Sequence, residues 1–325
     1  MKTSLVVFLL ILLTGCQEAA SQTVTGILTE HAGQEVRLEG FRGFDTRLIS
    51  SGRVSDSGEF SLSYAGEEPG MALLTAGGGS PFVVVLSGED IRLEGASPAM
   101  PETMRVVEGT ENQLFEQYAS EHPRREQALS AWIYLRTLYD ADSLFAAHQL
   151  PREAIAAEIA RIRAEDEAFL SALDPDTYIS WYLPVRRLVS AVPVVAQFRT
   201  EEIPATIEAF RQLDHTDPRL YRSGLLADVL ESHVWLIENS GRDLDAVFEA
   251  LNRSADILTE NLSADPVRFR ELTAFLFELL ERRSLFASSE HLARRLLTQY
   301  PELPDRNLRA KLEIYGAMRI GNTAP

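Results

Sequence analysis

The sequence predicts an α+β chain, with an antiparallel β-sandwich or open barrel first and an all-α helical array after it. Three observations carry this prediction. Apolar residues alternate with period two between residues 23 and 109, recur at helical spacing from 110 to 318, and are punctuated there by Asp-Pro and Gly breaks. The length of 325 residues exceeds what one core comfortably organises, so two domains are expected. An apolar fraction of 45% supplies enough material for a sizeable core.

The first element is an export signal. Lys2 precedes an apolar run from Leu5 to Leu13, which ends in Leu13-Thr14-Gly15-Cys16. A positive start, a short apolar stretch and a small residue before the cleavage point define a secretory signal peptide, and Leu-x-Gly-Cys defines its lipoprotein type. Residues 1–15 are therefore read as the signal peptide, and Cys16 as the lipidated first residue of the mature chain. The run is about half of the roughly 20 apolar residues that a membrane-spanning helix needs. Residues 16–22 make a polar tether, and the expected partner through the lipid on Cys16 is a membrane. This places the chain in the cell envelope, on the periplasmic face, with Gln17 in the position after the cysteine favouring the outer membrane.

Residues 23–109 read as strands. Val36 and Leu38 alternate with Glu35, Arg37 and Glu39; Phe60, Leu62 and Tyr64 with Glu59, Ser61 and Ser63; Ile91 and Leu93 with Asp90, Arg92 and Glu94. Each pattern gives one buried and one wet face, as an antiparallel sheet requires. Turn signals at Ala32-Gly33, Asp56-Ser57-Gly58, Glu68-Pro69-Gly70, Gly77 to Gly79 and Ser87-Gly88 divide the region into about seven or eight short strands.

After Gly109 the period changes. Helices are predicted over 111–121, 124–147, from Pro151 onward, and over 178–192, 203–213, 219–239, 244–261, 266–286, 289–299 and 305–318. Leu129, Trp132, Ile133, Leu135 and Leu138 share one side of the second helix, and Ile155, Ile159 and Ile162 one side of the third. Short loops favour antiparallel neighbours, and no fixed-length repeat marks a named solenoid.

Composition excludes several function classes. The net charge of −17 repels phosphates, so nucleic acid is not an expected partner. Lys2 and Lys311 are the only lysines among 31 basic residues, a bias that carries no functional information. Cys16 is the single cysteine, and lipidation consumes it; these residues can then form no disulfide, no Cys-x-x-Cys pair and no cysteine-based metal site.

Few residues suggest chemistry. Gly77-Gly78-Gly79-Ser80 lacks the Gly-Lys-Ser/Thr of a phosphate-cradling loop and reads as a hairpin turn. No Gly-x-Ser-x-Gly elbow is present. The 6 histidines follow no His-Glu-x-x-His pattern, and His215 between Asp214 and Asp217 reads as a polar turn rather than a metal ligand. No catalytic residue, metal site or cofactor is expected. Tyr178, Trp181 and Tyr182, ahead of Pro184, are the candidate binding residues, because exposed aromatics hold peptides and sugars; core or interdomain packing is the reading preferred over it. The Arg161 to Glu167 run reads as a solvated face with i to i+4 pairs.

Taken together, the lipobox, the strand segments Thr25-Gly26-Ile27-Leu28 and Val54-Ser55-Asp56-Ser57-Gly58-Glu59-Phe60-Ser61-Leu62, and Val107-Glu108-Gly109-Thr110-Glu111-Asn112 leading into helices form a wider pattern. It resembles the N-terminal part of Gram-negative thioredoxin-like lipoproteins. In that family a β-rich domain of unknown function and a helical region precede a thioredoxin- or peroxiredoxin-like domain. Arg319-Ile320-Gly321-Asn322-Thr323-Ala324-Pro325 resembles the Ile-Gly-x-x-Ala-Pro segment that opens such a domain, so residues 319–325 are expected to begin a domain that these 325 residues do not contain. The resemblance implies a non-catalytic accessory region of a thiol–disulfide oxidoreductase, anchoring the enzyme, positioning it and binding client protein. It transfers no catalytic residue to any position here. The alternative is a complete, non-enzymatic envelope lipoprotein that binds a protein, peptide or glycan.

Overall fold

The structure is a computed structural model describing residues 21–66 and 68–317. The signal peptide, Cys16 and residues 319–325 lie outside the described residues. Eight strands and eleven helices form within them, in the expected order of β first and α second.

The strands are β1 (Ser21–Leu28), β2 (Glu35–Arg42), β3 (Asp45–Arg53), β4 (Glu59–Ala65), β5 (Gly70–Ala76), β6 (Phe82–Leu86), β7 (Ile91–Gly95) and β8 (Arg105–Glu108). They make two four-stranded sheets, ordered β4-β1-β7-β8 and β3-β2-β5-β6. The alternating residues of the sequence point inward: Val24, Leu28, Val36, Leu38, Leu62 and Leu93 are each at most 2% exposed. The sheets face each other as a sandwich, and β3 lies along β4 on one side without closing a barrel. The expectation of antiparallel pairing needs one correction, because β1 and β7 run parallel. Gly26 allows this close pairing: a Cβ there would sit 2.0 Å from the Leu93 carbonyl oxygen.

The outer face of β5 and β6 is not wet. Met71 and Val85 point away from the sandwich core and join the core of the helices, each at most 1% exposed. Burying two such side chains contributes roughly 1.5–3 kcal/mol each. Backbone bonds fasten the same seam: the Met71 and Gly43 amides each donate to the loop carbonyls of Arg222 and Tyr221 at 2.8 Å.

The helices are α1 (Thr110–Ala141), α2 (Ser143–Ala146), α3 (Gln149–Ser171), α4 (Tyr178–Phe198), α5 (Ile203–Arg211), α6 (Pro218–Tyr221), α7 (Leu226–Glu238), α8 (Leu244–Leu262), α9 (Pro266–Arg282), α10 (Phe286–Gln299) and α11 (Arg306–Ala317). Successive helices pack as neighbours from α7 to α11, while α1 pairs with α3. Aspartates cap them where the sequence breaks: Asp217, Asp243 and Asp265 each accept first-turn amides, and Pro218 and Pro266 occupy positions where no amide is needed.

Two helix boundaries differ from the expectation. α1 runs unbroken through Pro123, and α4 continues past its expected end at Val192, through Pro193 to Phe198. Each proline removes one backbone bond without ending its helix. Conversely, the helix expected over 219–239 is interrupted between α6 and α7, where Gly224 adopts φ +73° against the Phe41 ring of β2. The interruption lets the loop that bonds Met71 and Gly43 approach the sheet.

Distant carboxylates cap two helices. Glu89, in the turn after β6, accepts the Thr110 amide at 2.7 Å, and Glu111 accepts the Ile179 amide at 3.0 Å. Both place negative charge at a helix N-terminus, where the macrodipole favours it. Glu111 is buried, which pushes its carboxyl above the usual range. These caps fix α1 to the sandwich and α4 to α1.

Candidate functional site

The helices leave an open groove of about 840 Å³ between α1, α3, α4 and α5. Its floor and walls are apolar: Leu129 and Ile162 on one side, Val185, Leu188, Ala191 and Val195 on the other. The volume and apolar lining match what ligand sites in proteins require. Pro184 and Pro193 lie inside α4, the helix that forms one wall.

The groove's lips carry both signs of charge. Arg163 of α3 pairs with Glu202 at 2.5 Å, in the 3-10 turn Thr200–Glu202 that precedes α5. Arg187 of α4 bonds Glu167 of α3 at 3.1 Å, and Arg199 bonds Glu126 of α1 at 2.9 Å. Arg199 is 6% exposed, so this pair is held in a low-dielectric setting, whereas the Arg163 and Arg187 pairs face solvent.

A buried polar network closes one end. His122 Nδ1 and Asp166 Oδ1 are 2.8 Å apart, the Tyr118 hydroxyl donates to Asp166 Oδ2 at 3.3 Å, and Arg187 Nη1 donates to the same oxygen at 3.2 Å. The Tyr118 and His122 rings stack at 4.8 Å. Burial drives the Asp166 carboxyl up, but the bonds from His122 and Arg187 outweigh it and hold the group below its ordinary value. Burial together with the Asp166 charge keeps the Tyr118 phenol protonated far above neutral pH. The network presents charge and hydrogen-bonding capacity beside an apolar surface.

A second, enclosed cavity of about 30 Å³ lies between α5, α7, α8 and α9. His215 and His233 line it, each with a buried Nδ1 that has no hydrogen-bond partner. Ser254 Oγ lies within hydrogen-bond reach of the Ala250 carbonyl, the Arg211 Nε–H, and His233 Nε2 at 2.9 Å. With its Nδ1 buried and without a partner, the His233 ring favours its neutral form. Burial pulls the His215 ring down to about 4 and His233 to about 3, the latter helped by Arg211. Among the described residues, no group of three or more His, Cys, Asp or Glu side chains is placed to hold a metal.

The aromatic candidates occupy a different place. Tyr178 and Tyr182 are 3% and 4% exposed and stack at 5.8 Å within the core of the helices, so they do not present a surface to a ligand. Trp181 is half-buried, with the Arg219 guanidinium over its ring at 5.0 Å. Packing is the role the geometry gives this trio. The Gly77 to Gly79 stretch is a turn between β5 and β6, as read from the sequence. His215 sits in the loop after α5, where it is buried rather than turned to solvent.

Sequence reasoning missed the groove and its network. A signal was available: Ile155, Ile159 and Ile162 form the inward stripe of α3, and the next position on it is Asp166, within a run read as solvated. On α1, His122 likewise interrupts the inward stripe of Phe115, Tyr118 and Leu129. Two polar residues breaking two apolar stripes at one level mark a buried pair. Among the described residues no helix is long and apolar enough to cross a membrane. Comparison with known proteins returned no matching family model, no curated relative and no similar solved structure.

Proposed function

We propose that the chain is a non-catalytic binding module, held at the cell envelope through lipid on Cys16, that presents client polypeptide to a thioredoxin-like thiol–disulfide oxidoreductase domain following it. The groove carries the binding part of this reading. It is open and apolar, and its lips offer Arg163 and Arg187 beside Glu167 and Glu202. Apolar surface bounded by both signs of charge suits a polypeptide, which brings apolar side chains and charges of both signs, better than it suits a uniformly anionic ligand. The seam between sandwich and helices supports the positioning part, since a client held on α4 stays fixed relative to the β-domain. The lipobox and the loose resemblance of residues 319–325 to the opening of a thioredoxin-like domain support the setting.

The test is fluorescence anisotropy of a fluorescein-labelled, leucine-rich peptide titrated with the full chain. Saturable binding is expected. Ala191→Trp, which fills the groove from α4, and Ala209→Trp, which fills it from α5, each weaken binding at least about tenfold, equivalent to roughly 1.4 kcal/mol. Glu249→Gln, on the exposed face of α8, leaves it unchanged. Equal binding by all four proteins removes the groove from the account. An in-frame Cys-x-x-Cys in the gene past Pro325 supports the oxidoreductase setting, and a stop codon there leaves a stand-alone binding lipoprotein.

A further inference from the structure

The distal part of the α1–α3 pair has its own core. Leu129, Ile133, Ile155, Ile159 and Ile162 cluster together, separate from the large core that runs from Met71 through α4 to α11. The proximal part of the same pair belongs to that large core, through Phe115 and Tyr118 of α1 and Phe169 of α3. Between the two cores, at one level, lie the Tyr118, His122 and Asp166 side chains described above, together with Pro123. The apolar packing that makes adjoining segments move as one body is interrupted there by a polar layer. Pro123 has no amide to donate to the Ala119 carbonyl, so the α1 backbone ladder is also broken at this level.

Beyond the layer, the distal arm reaches the rest of the array through charge. Arg163 bonds Glu202, Arg136 bonds Glu201 at 2.8 Å, and Glu126 receives Arg199. Arg187 meets Asp166 and Glu167 at the level of the layer itself. The groove lies between the arm and the array, so the same ion pairs span its two walls.

We propose that the distal arm, residues 124 to 163, is a jaw that pivots at Pro123 and is clasped over the groove by these ion pairs. Its motion stands on the two cores and the polar layer; its role in admitting a client rests on the binding reading above. Screening of the half-exposed Arg163–Glu202 and Arg136–Glu201 pairs loosens the clasp, leaving the buried Arg199–Glu126 pair near the pivot. Charges facing solvent lose their attraction as the Debye length shrinks from about 10 Å to about 3 Å between 0.1 M and 1 M salt. The arm from Pro123 to Ala141 rises about 27 Å, so a pivot of about 10° displaces its tip by about 5 Å.

Electron–electron resonance between spin labels tests this. Labels go on Leu150→Cys, at the arm tip and 80% exposed, and Glu249→Cys on α8, in the full chain carrying Cys16→Ser. At low salt one narrow distance is expected. At 1 M salt, or at low salt with R163Q and R136Q together, a second distance about 5 Å or more away is expected. Pro123→Ala restores the backbone donor and suppresses the second distance. One unchanged distribution across all conditions, with native circular dichroism, overturns the jaw. Peptide anisotropy on the same samples separates the two claims. Fixed distances with groove-dependent binding sink the jaw alone, and shifting distances without any peptide binding leave the jaw and remove its client.

Discussion

Between pH 6.5 and pH 4 the chain is expected to lose several kcal/mol of stability, with the helical array giving way first. The cause is the pair of imidazoles on the small cavity, His215 buried and His233 half-buried. Folded, His215 and His233 titrate near 4 and 3; unfolded, both take up protons at the ordinary value of 6.5. Above that value neither state binds the proton and the histidines cost nothing. As pH falls below it, the unfolded chain gains protons that the folded chain refuses, and each histidine lowers stability by about 1.4 kcal/mol per pH unit until its folded value is reached. His215 alone therefore accounts for roughly 3 kcal/mol at pH 4. His233 contributes in the same direction but less than its shift implies, because its ring keeps some exposure.

Other groups define the edges of this window. Glu111 and Asp228, raised by burial, favour folding as the pH drops, but only near the carboxylate range. Asp166, held low by His122 and Arg187, adds a further loss below its ordinary value of 3.8. Urea unfolding followed at closely spaced pH values measures the slope. His215→Phe should flatten it between pH 6.5 and 4, and adding His233→Leu should flatten it further. A native chain whose stability is level across that interval contradicts the buried-histidine account.

The second large effect is expected at Asn112. Its side-chain amide completes the edge of β6: Nδ2 donates to the Val85 carbonyl at 2.7 Å, and Oδ1 accepts the Val85 amide at 2.8 Å. One asparagine thus stands where a neighbouring strand would be, and it belongs to the first turn of α1. Asn112→Ala leaves a buried donor and a buried acceptor unpaired and is expected to cost about 2–4 kcal/mol. Asn112→Asp should cost more, since it removes the donor and places a charge at a site that is 2% exposed. Hydrogen exchange gives the specific signature: the Val85 amide loses protection in Asn112→Ala more than amides in the middle of β2 do. Uniform loss across the sandwich, or none, means that Asn112 does not fasten α1 to the sheet.

Asn112 also shows how far the sequence could be read. The β-to-α order was legible because β2, β4 and β7 each have one wet face, and that alternation survives in the residues. β5 is buried along nearly its whole length, and β3 is exposed along much of it; neither produces alternation, so their pairing was invisible. The parallel β1–β7 pair comes from a crossover of more than 60 residues, beyond what local pattern encodes. Helix positions followed from stripes and Asp-Pro caps, yet Pro123 and Pro193 misled at the boundaries, because a helix can run on through a single missing backbone bond. Tyr178 and Tyr182 are core residues, in line with the packing reading of their pattern rather than the binding one. The groove was unreadable for a different reason: its walls come from four helices, and nothing in any one of them announces the others. Only the polar interruptions at His122 and Asp166 left a trace.

The central claim is that the groove between α1, α3, α4 and α5 holds polypeptide. Its most direct test is a leucine-rich peptide bearing a photoreactive leucine, irradiated on the full chain, with the crosslinked residues mapped by peptide mass spectrometry. The account predicts saturable crosslinks confined to the groove, on α4 between residues 184 and 195 and on the facing surfaces around Leu129 and Ile162, displaced by unlabelled peptide. Crosslinks centred instead on exposed apolar side chains such as Leu244 and Phe286, or labelling that excess peptide does not displace, would contradict it.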